Sequence, residues 1–421
     1  MPTEVKRPDA VRSPGAAGGG NRGKRKLEGL RVLDLCTMLT GPYCCALLGD
    51  LGADVIKVEH LAGDVVRRVW PARNKGMGGS FLSLNRSKRS IALDLGDARG
   101  RACMLDIAST CDVVVCNMRP DAIRKLAIGY REIAAVNPKI IYCSISGWGR
   151  GHPEADSGAF EDIMEAATGL VDLFDKYIGA PIYVPIPIVD MTSAMMATIS
   201  ILAAHNRTVL TGEGEEIEIS MYDTMASLVL TNHLGGAAFD PPLGPPIARR
   251  SILPLRRALK TRDGLISLLP YTDDQWRKFC GTADRNELAE SPDFRDMSSR
   301  SKNFERMYGE MEKILVERTT DDWIKRFKAL AIPCSVVQSV SDLIEAPELY
   351  DAGVLHRIMH PTEGATVVVG SPIKFGGARN EAPAPAPLLG EHSREILGEI
   401  GYGMSEIEDL VVAGVVAEVR S

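Results

Sequence analysis

The stretch PIPIVDMTSAMMATISILAAHNR, residues 185–207, is apolar on both sides of one carboxylate, Asp190, and runs on behind it with a helical apolar pattern. An acid in that place has two uses. It can cap the helix that follows by accepting a backbone N–H, or it can stand in a pocket as a reactive carboxylate. The other reactive side chains point away from metal chemistry. The nine cysteines form no CxxC pair and share no zinc-like spacing with histidine. Cys36, Cys44, Cys45 and Cys143 lie inside apolar runs, as buried thiols of a reducing, cytoplasmic compartment would.

The elements that must position Asp190 follow from the pattern ahead of it. LRVLDL, ADVIKVE, SIALDL, CDVVVCN and KIIYCSISGWG read as buried strands. GPYCCALLGDLG, residues 98–110 and a stretch near 121–136 read as the helices between them. Strands alternating with helices predict an α/β fold with a doubly wound, mainly parallel sheet. Ligands of such sheets bind at the carboxyl ends of the strands, which here carry Thr37 to Gly41, Glu59 to Asp64, Asn117 to Pro120 and Ser146 to Gly149. The first strand is followed by CTMLTGP rather than GxGxxG, which argues against a nicotinamide-linked dehydrogenase. GWGRGH reads as a turn.

Composition sets the outer bounds. The chain has 421 residues, 45% hydrophobic and 25% charged, enough for two globular domains. A net charge of −6 with dispersed Lys and Arg offers no surface for nucleic acid. The basic residues 1–27 read as a disordered tail, and no apolar run approaches the roughly 20 residues needed to cross a bilayer. Residues 28–225 form the expected large domain and 226–345 a smaller α+β domain with a hairpin at Arg262–Asp263–Gly264. Residues 346–421 include the Pro-rich EAPAPAPLLG, expected to lie extended along another surface.

In order and spacing, LEGLRVLDL, TGPYCCALLGDLGADVIKVEHLAGD, NRSKRSIALDL, DVVVCNMRP, ISGWG, VDMTSAMMATISILAAHNRTVLTGEGEEIEISMYD, RDGLISL and PLLGEHSREILGEIGY resemble the class III CoA-transferases, a family that includes acyl-CoA racemases. The resemblance runs from about Leu27 to Val416. It implies a Rossmann-like large domain plus a small domain, in a homodimer of two interlocked ring-shaped protomers. Acyl-CoA and a small carboxylic acid would be the substrates, with coenzyme A a co-substrate and no tightly bound cofactor.

The resemblance implies that Asp190 is the nucleophile, with an aspartyl anhydride and an aspartyl-CoA thioester as intermediates. The racemase branch carries a His-Asp pair where this chain has Phe160 and Glu161, and phenylalanine cannot carry a proton. Glu161 is therefore expected to support the transfer, its other reading being charge complementing its own helix start. The alternatives are a racemase using Asp190 and Glu161, or a silent CoA-binding dimer. The implied CoA contacts are His60, Lys88, Leu93, Gly96, Asn117, Arg119 and Lys125, with Arg89 adding charge. Leu39 stands where formyl-transferring members have glutamine, and Arg249, Arg250, Arg256 and Arg257 are left to a diacid carboxylate, CoA phosphates or solvent.

Overall fold

A computed structural model describes residues 25–419. Its centre is a seven-stranded sheet. The first six strands are β1 (Arg31–Asp34), β2 (Asp54–Glu59), β3 (Lys88–Leu93), β4 (Val113–Cys116), β5 (Ile141–Ser146) and β6 (Glu215–Ser220). They are parallel in the order β3-β2-β1-β4-β5-β6. The order reverses between β1 and β4, where an open parallel sheet offers a crevice.

Period-two alternation sends Val32, Val113, Ile141 and Cys143 to one face and Leu33, Ile56, Val114 and Tyr142 to the other. Helices cover both faces, so inner strands such as β4 are buried on both sides, while the edge strand β6 leaves Glu216 and Glu218 exposed. On the first face lie α1 (Thr40–Asp50) and, later in the chain, a helix of residues Ile188–Thr211. Three more helices follow α1 in order: α2 (Gly79–Leu84), α3 (Ala98–Ala108) and α4 (Pro120–Leu126). The single helix expected near 121–136 is two, because Ala127 takes φ 53° and ends α4 before α5 (Tyr130–Val136) begins.

After β5 come α6 (Glu161–Ala167), α7 (Leu170–Ile178) and α8 (Ile188–Thr211), and after β6 comes α9 (Met221–His233). Continuous over 24 residues, α8 is long and apolar enough to cross a membrane, which corrects the expectation that no segment has that length. One face, with Val189, Ala194, Ala197 and Ile201 at helical spacing, is buried against the sheet and α1. Burying Val189 or Ile201 contributes roughly 1.5–3 kcal/mol each, and the two alanines less. The opposite face exposes Met195, Met196 and Ile199.

A separate apolar cluster around Trp276, Phe279, Trp323 and Phe327 draws on helices Asp273–Thr282, Phe304–Leu315 and Thr320–Ala329. Beside it is a three-stranded antiparallel sheet of β7 (Leu259–Lys260), β8 (Leu265–Leu268) and β9 (Cys334–Val336), with the expected turn joining β7 and β8. A hairpin of β10 (Leu355–His360) and β11 (Gly364–Val369) follows. The Pro-rich segment lies along the large sheet: Ser87 and Ala384 exchange hydrogen bonds, and Arg67 donates to the Pro387 carbonyl at 3.1 Å. The chain ends by adding β12 (Val416–Ala417) antiparallel to β3.

The tail expected over 1–27 lies outside the described residues as far as residue 24, but its last three residues are ordered. Arg25 pairs with Glu381, and the Leu27 N–H bonds the Leu51 carbonyl at 3.0 Å.

An ionic cluster lies at the carboxyl end of the central strand β1. Lys57 and Lys88, both fully buried, face the equally buried Asp34. Burial pushes the Asp34 carboxyl up, and the two ammonium groups more than reverse this and hold it below the usual carboxylate range. Lys88→Met strands much of that buried charge. We expect a loss of about 3–5 kcal/mol in unfolding free energy, measured by urea denaturation, whereas a surface substitution such as Lys125→Met leaves the midpoint in place.

Candidate active site

Asp190 is the third residue of α8, so it does not cap its own helix. The N-cap position is Pro187, which offers no side-chain acceptor. The cap comes from α6. The two oxygens of Glu161 accept the N–H groups of Val189 and Asp190, each at 2.8 Å. These are two of the N–H groups that a helix leaves open at its start. Glu161, the first residue of α6, therefore complements the dipole of α8 as well as that of its own helix. The Asp190 side chain is left to face α1.

There, the hydroxyl of Thr40, the buried first residue of α1, donates to Asp190 Oδ1. Two glycines make these approaches possible. A Cβ on Gly41 would stand 2.2 Å from Cys36 Sγ, so only glycine lets α1 start so close to the end of β1. A Cβ on Gly147 would stand 1.9 Å from the Ala159 Cβ, so the segment leading into Glu161 folds back over the end of β5.

Burial raises the Asp190 carboxyl, the Thr40 hydrogen bond lowers it, and the neighbouring Glu161 charge raises it again, leaving it at about 6. The start of its own helix does not lower the Asp190 carboxyl here. Glu161 already occupies those N–H groups, and its charge pushes the other way. Glu161 is itself raised: burial and the nearby Glu165 outweigh the two amides that favour its charged form. Glu165 is fully buried. Its Oε2 accepts the Val184 N–H at 2.8 Å, and its Oε1 has no hydrogen-bond partner among the described residues.

The expected CoA contacts divide into two groups. His60 follows β2, Gly96 follows β3, and Asn117, Arg119 and Lys125 follow β4, all beyond the carboxyl edge of the sheet. His60, Gly96, Arg119 and Lys125 are exposed there. Asn117 is partly committed: its side chain accepts from the Thr37 N–H at 2.9 Å and donates to the Thr37 carbonyl at 2.8 Å, which ties the β4 loop to the β1 loop.

Lys88 and Leu93 are corrections. Lys88 opens β3 at the amino edge, and its three ammonium donors are taken by Asp34, the Pro42 carbonyl and Asn85 at 2.8, 2.9 and 3.0 Å. It has no donor left for a phosphate. The Leu93 side chain is fully buried in the core behind the sheet, where β12 covers the strand, and so cannot flank an adenine. Arg89 is likewise spent, on Asp54, Glu395 and Glu399.

Among the arginines of the small cluster, Arg257 pairs with Glu312 at 2.9 Å and Arg250 lies 5.1 Å over the Phe304 ring. A cavity of about 980 Å³ lined by Arg25, Lys26, Asp50, Phe375 and Arg379 includes none of the expected site residues. Thr40 and Glu165 were missed by the sequence reading. The signal for Thr40 was a hydroxyl directly before Gly41-Pro42, and for Glu165 a second acid four residues beyond Glu161, on the same face of α6.

The fold is a mainly parallel α/β sheet with one half-buried carboxylate held between two helix starts. The chain belongs to CoA-transferase family III, whose family model matches residues 27–393. It is 31% identical to the succinyl-CoA:glutarate CoA-transferase of Mus musculus, over 97% of each chain. It is 32% identical to the succinyl-CoA:mesaconate CoA-transferase of Haloarcula hispanica, over 90% of this chain and 97% of that one. Among solved structures, a CaiB/BaiF family protein from Brucella suis superposes with a TM-score of 0.77 at 26% identity, covering 90% of this chain and all of that one. The chain is a class III CoA-transferase, an enzyme acting on acyl-CoA and a carboxylic acid.

Proposed function

We propose that this enzyme moves CoA from an acyl-CoA donor to an acid acceptor through covalent intermediates on Asp190. The observation that carries the reading is the geometry of that carboxylate: half-buried, held through its backbone by Glu161 and through Oδ1 by Thr40. A carboxylate oxygen attacks the thioester carbonyl, the C–S bond breaks, and the CoA thiolate leaves with the electron pair, giving a mixed anhydride. The thiolate then attacks the Asp190 carbonyl carbon, which frees the donor acid as its carboxylate and leaves an aspartyl-CoA thioester. An acceptor carboxylate reverses both steps and regenerates Asp190, with no net proton change.

A carboxylate is a weak nucleophile, so fixed placement against the carbonyl must supply much of the acceleration, up to about 7–11 kcal/mol. Supporting a dicarboxylate substrate class, the mouse and Haloarcula relatives are named for succinyl-CoA with glutarate or mesaconate. His60, Gly96, Arg119 and Lys125, exposed beyond the strand ends, are the residues we assign to CoA, with Asn117 shaping the loop between them. A racemase would need Glu161 as a proton acceptor. That both its oxygens already accept backbone N–H bonds weighs against this.

The proposal includes the division into a CoA-binding Rossmann-like domain of residues 28–225, a small domain of 226–345 and a returning segment of 346–421. It also includes an interlocked homodimer. Support for the dimer comes from the apolar faces left exposed on α8 at Met195 and Ile199 and on α9 at Leu228 and Leu230. Light scattering should give twice the chain mass.

The chemical test is mass spectrometry of enzyme incubated with succinyl-CoA and then with hydroxylamine or borohydride. Modification at Asp190 is expected, and label elsewhere with Asp190 untouched would overturn the reading. Because the attacking oxygen must be ionised and the Asp190 carboxyl sits at about 6, kcat/KM should fall tenfold per pH unit well below that value and level off above it. A profile flat down to pH 4.5 would contradict it.

A further inference from the structure

We propose that Thr40 is a positioning residue for this transfer: by holding Oδ1 of Asp190 it leaves Oδ2 as the oxygen that attacks the thioester. The inference rests on Asp190 being the nucleophile and adds which of its oxygens reacts and what aims it. Oδ1 is the oxygen that receives the Thr40 hydroxyl, and Thr40 is buried, so solvent does not compete for that bond.

The segment carrying the hydroxyl is pinned on both sides by side chains from neighbouring strands and loops. The Cys36 N–H donates to Asp34 at 3.0 Å and the Cys36 carbonyl accepts from Lys57 at 2.7 Å. Thr37 is clasped by Asn117. The Met38 N–H donates to Asp64 at 3.3 Å, and Met38 is held at φ 68°, a conformation that costs a non-glycine residue free energy. Lys88 donates to the Pro42 carbonyl at 2.9 Å, and Lys57 pairs with Asp64 at 3.0 Å.

Four buried charges, Asp34, Lys57, Asp64 and Lys88, thus converge on the backbone flanking one hydroxyl. A buried ion pair is a poor device for stability alone, because desolvation offsets most of its attraction. Here it gives residues 36–42, the loop after β1 and the first residues of α1, one geometry. The titratable groups facing Asp190 are Glu161 and, behind it, Glu165, both from α6; α1 contributes the hydroxyl.

The test compares Thr40→Val with Thr40→Ser. Valine matches the shape and removes the donor, so the fold should survive while kcat/KM falls about ten- to a hundredfold, the usual loss for a hydrogen bond to a charged group. The Thr40 bond lowers the Asp190 carboxyl, so the acid limb of the pH profile should also move upward from about 6. Serine should restore both. A Thr40→Val profile superimposing on the parent, in limb position and height, would overturn the assignment. Asp190→Asn run alongside separates the two claims: if that variant is inactive while Thr40→Val is unchanged, only the role of Thr40 fails, and if Asp190→Asn remains active, the nucleophile itself is wrong.

Discussion

Asp190→Asn should abolish CoA transfer, by on the order of a thousandfold or more, because in the proposed mechanism it removes the one group that bonds to the acyl carbon. The loss should be chemical and not structural. The Asn carbonyl oxygen can still accept from Thr40, and the backbone N–H of residue 190 still meets Glu161. Circular dichroism and the unfolding midpoint should therefore stay with the parent, or shift slightly upward, since the substitution takes a charge out of a half-buried site. Affinity for CoA should change little, because the residues assigned to CoA in the proposal lie on other elements. CoA exchange between succinate and a second dicarboxylate at the parent rate would end the proposed mechanism.

Glu161 should give the second largest effect, of a different kind. Both its oxygens accept N–H groups, whereas the Gln amide offers one acceptor and turns an NH2 donor toward the remaining N–H. We expect Glu161→Gln to cost about 1–2 kcal/mol, as a lost cap does, and to lower kcat by up to about a hundredfold through misplacement of Asp190. The sign of the pH effect is distinctive. Removing a negative charge that raises the Asp190 carboxyl lets it ionise more readily, so the acid limb should move below about 6, opposite to Thr40→Val. If Glu161 instead carried a proton to and from Cα, deuterium would enter acyl-CoA in D2O without any acceptor acid, and Glu161→Gln would abolish that exchange.

The two variants bracket one carboxylate. Glu161 holds its backbone and raises its proton affinity, and Thr40 holds one oxygen and lowers it. The balance leaves the Asp190 carboxyl at about 6, so that it is charged near neutral pH yet half-buried, a state that suits the nucleophile proposed above.

Much of this was legible in one dimension. The β-branched runs and the helices between them were enough for a mainly parallel α/β sheet, because both signals are local and periodic. The break of an apolar stretch at Asp190 singled out that carboxylate, since a charge there needs a reason. Local order also covered the hairpin at Arg262–Asp263–Gly264, where β7 and β8 pair.

Only the tertiary structure decided the rest. Lys88 reads as a surface cation, and its commitment to Asp34 depends on β3 lying two strands from β1. The charges inside LRVLDL and VIKVE were hints of buried pairing, but pairing is a relation between strands and no single strand contains it. Leu93 moved from ligand wall to core when β12 returned from the far end of the chain. Glu161 caps a helix that starts 27 residues later, and Thr40 reaches Asp190 across 150. Sequence specifies which groups are available and what local shape they prefer; which oxygen meets which hydrogen is set by packing elements distant in the chain, because hydrogen bonds and charges act over a few ångströms of space and are indifferent to position along the backbone.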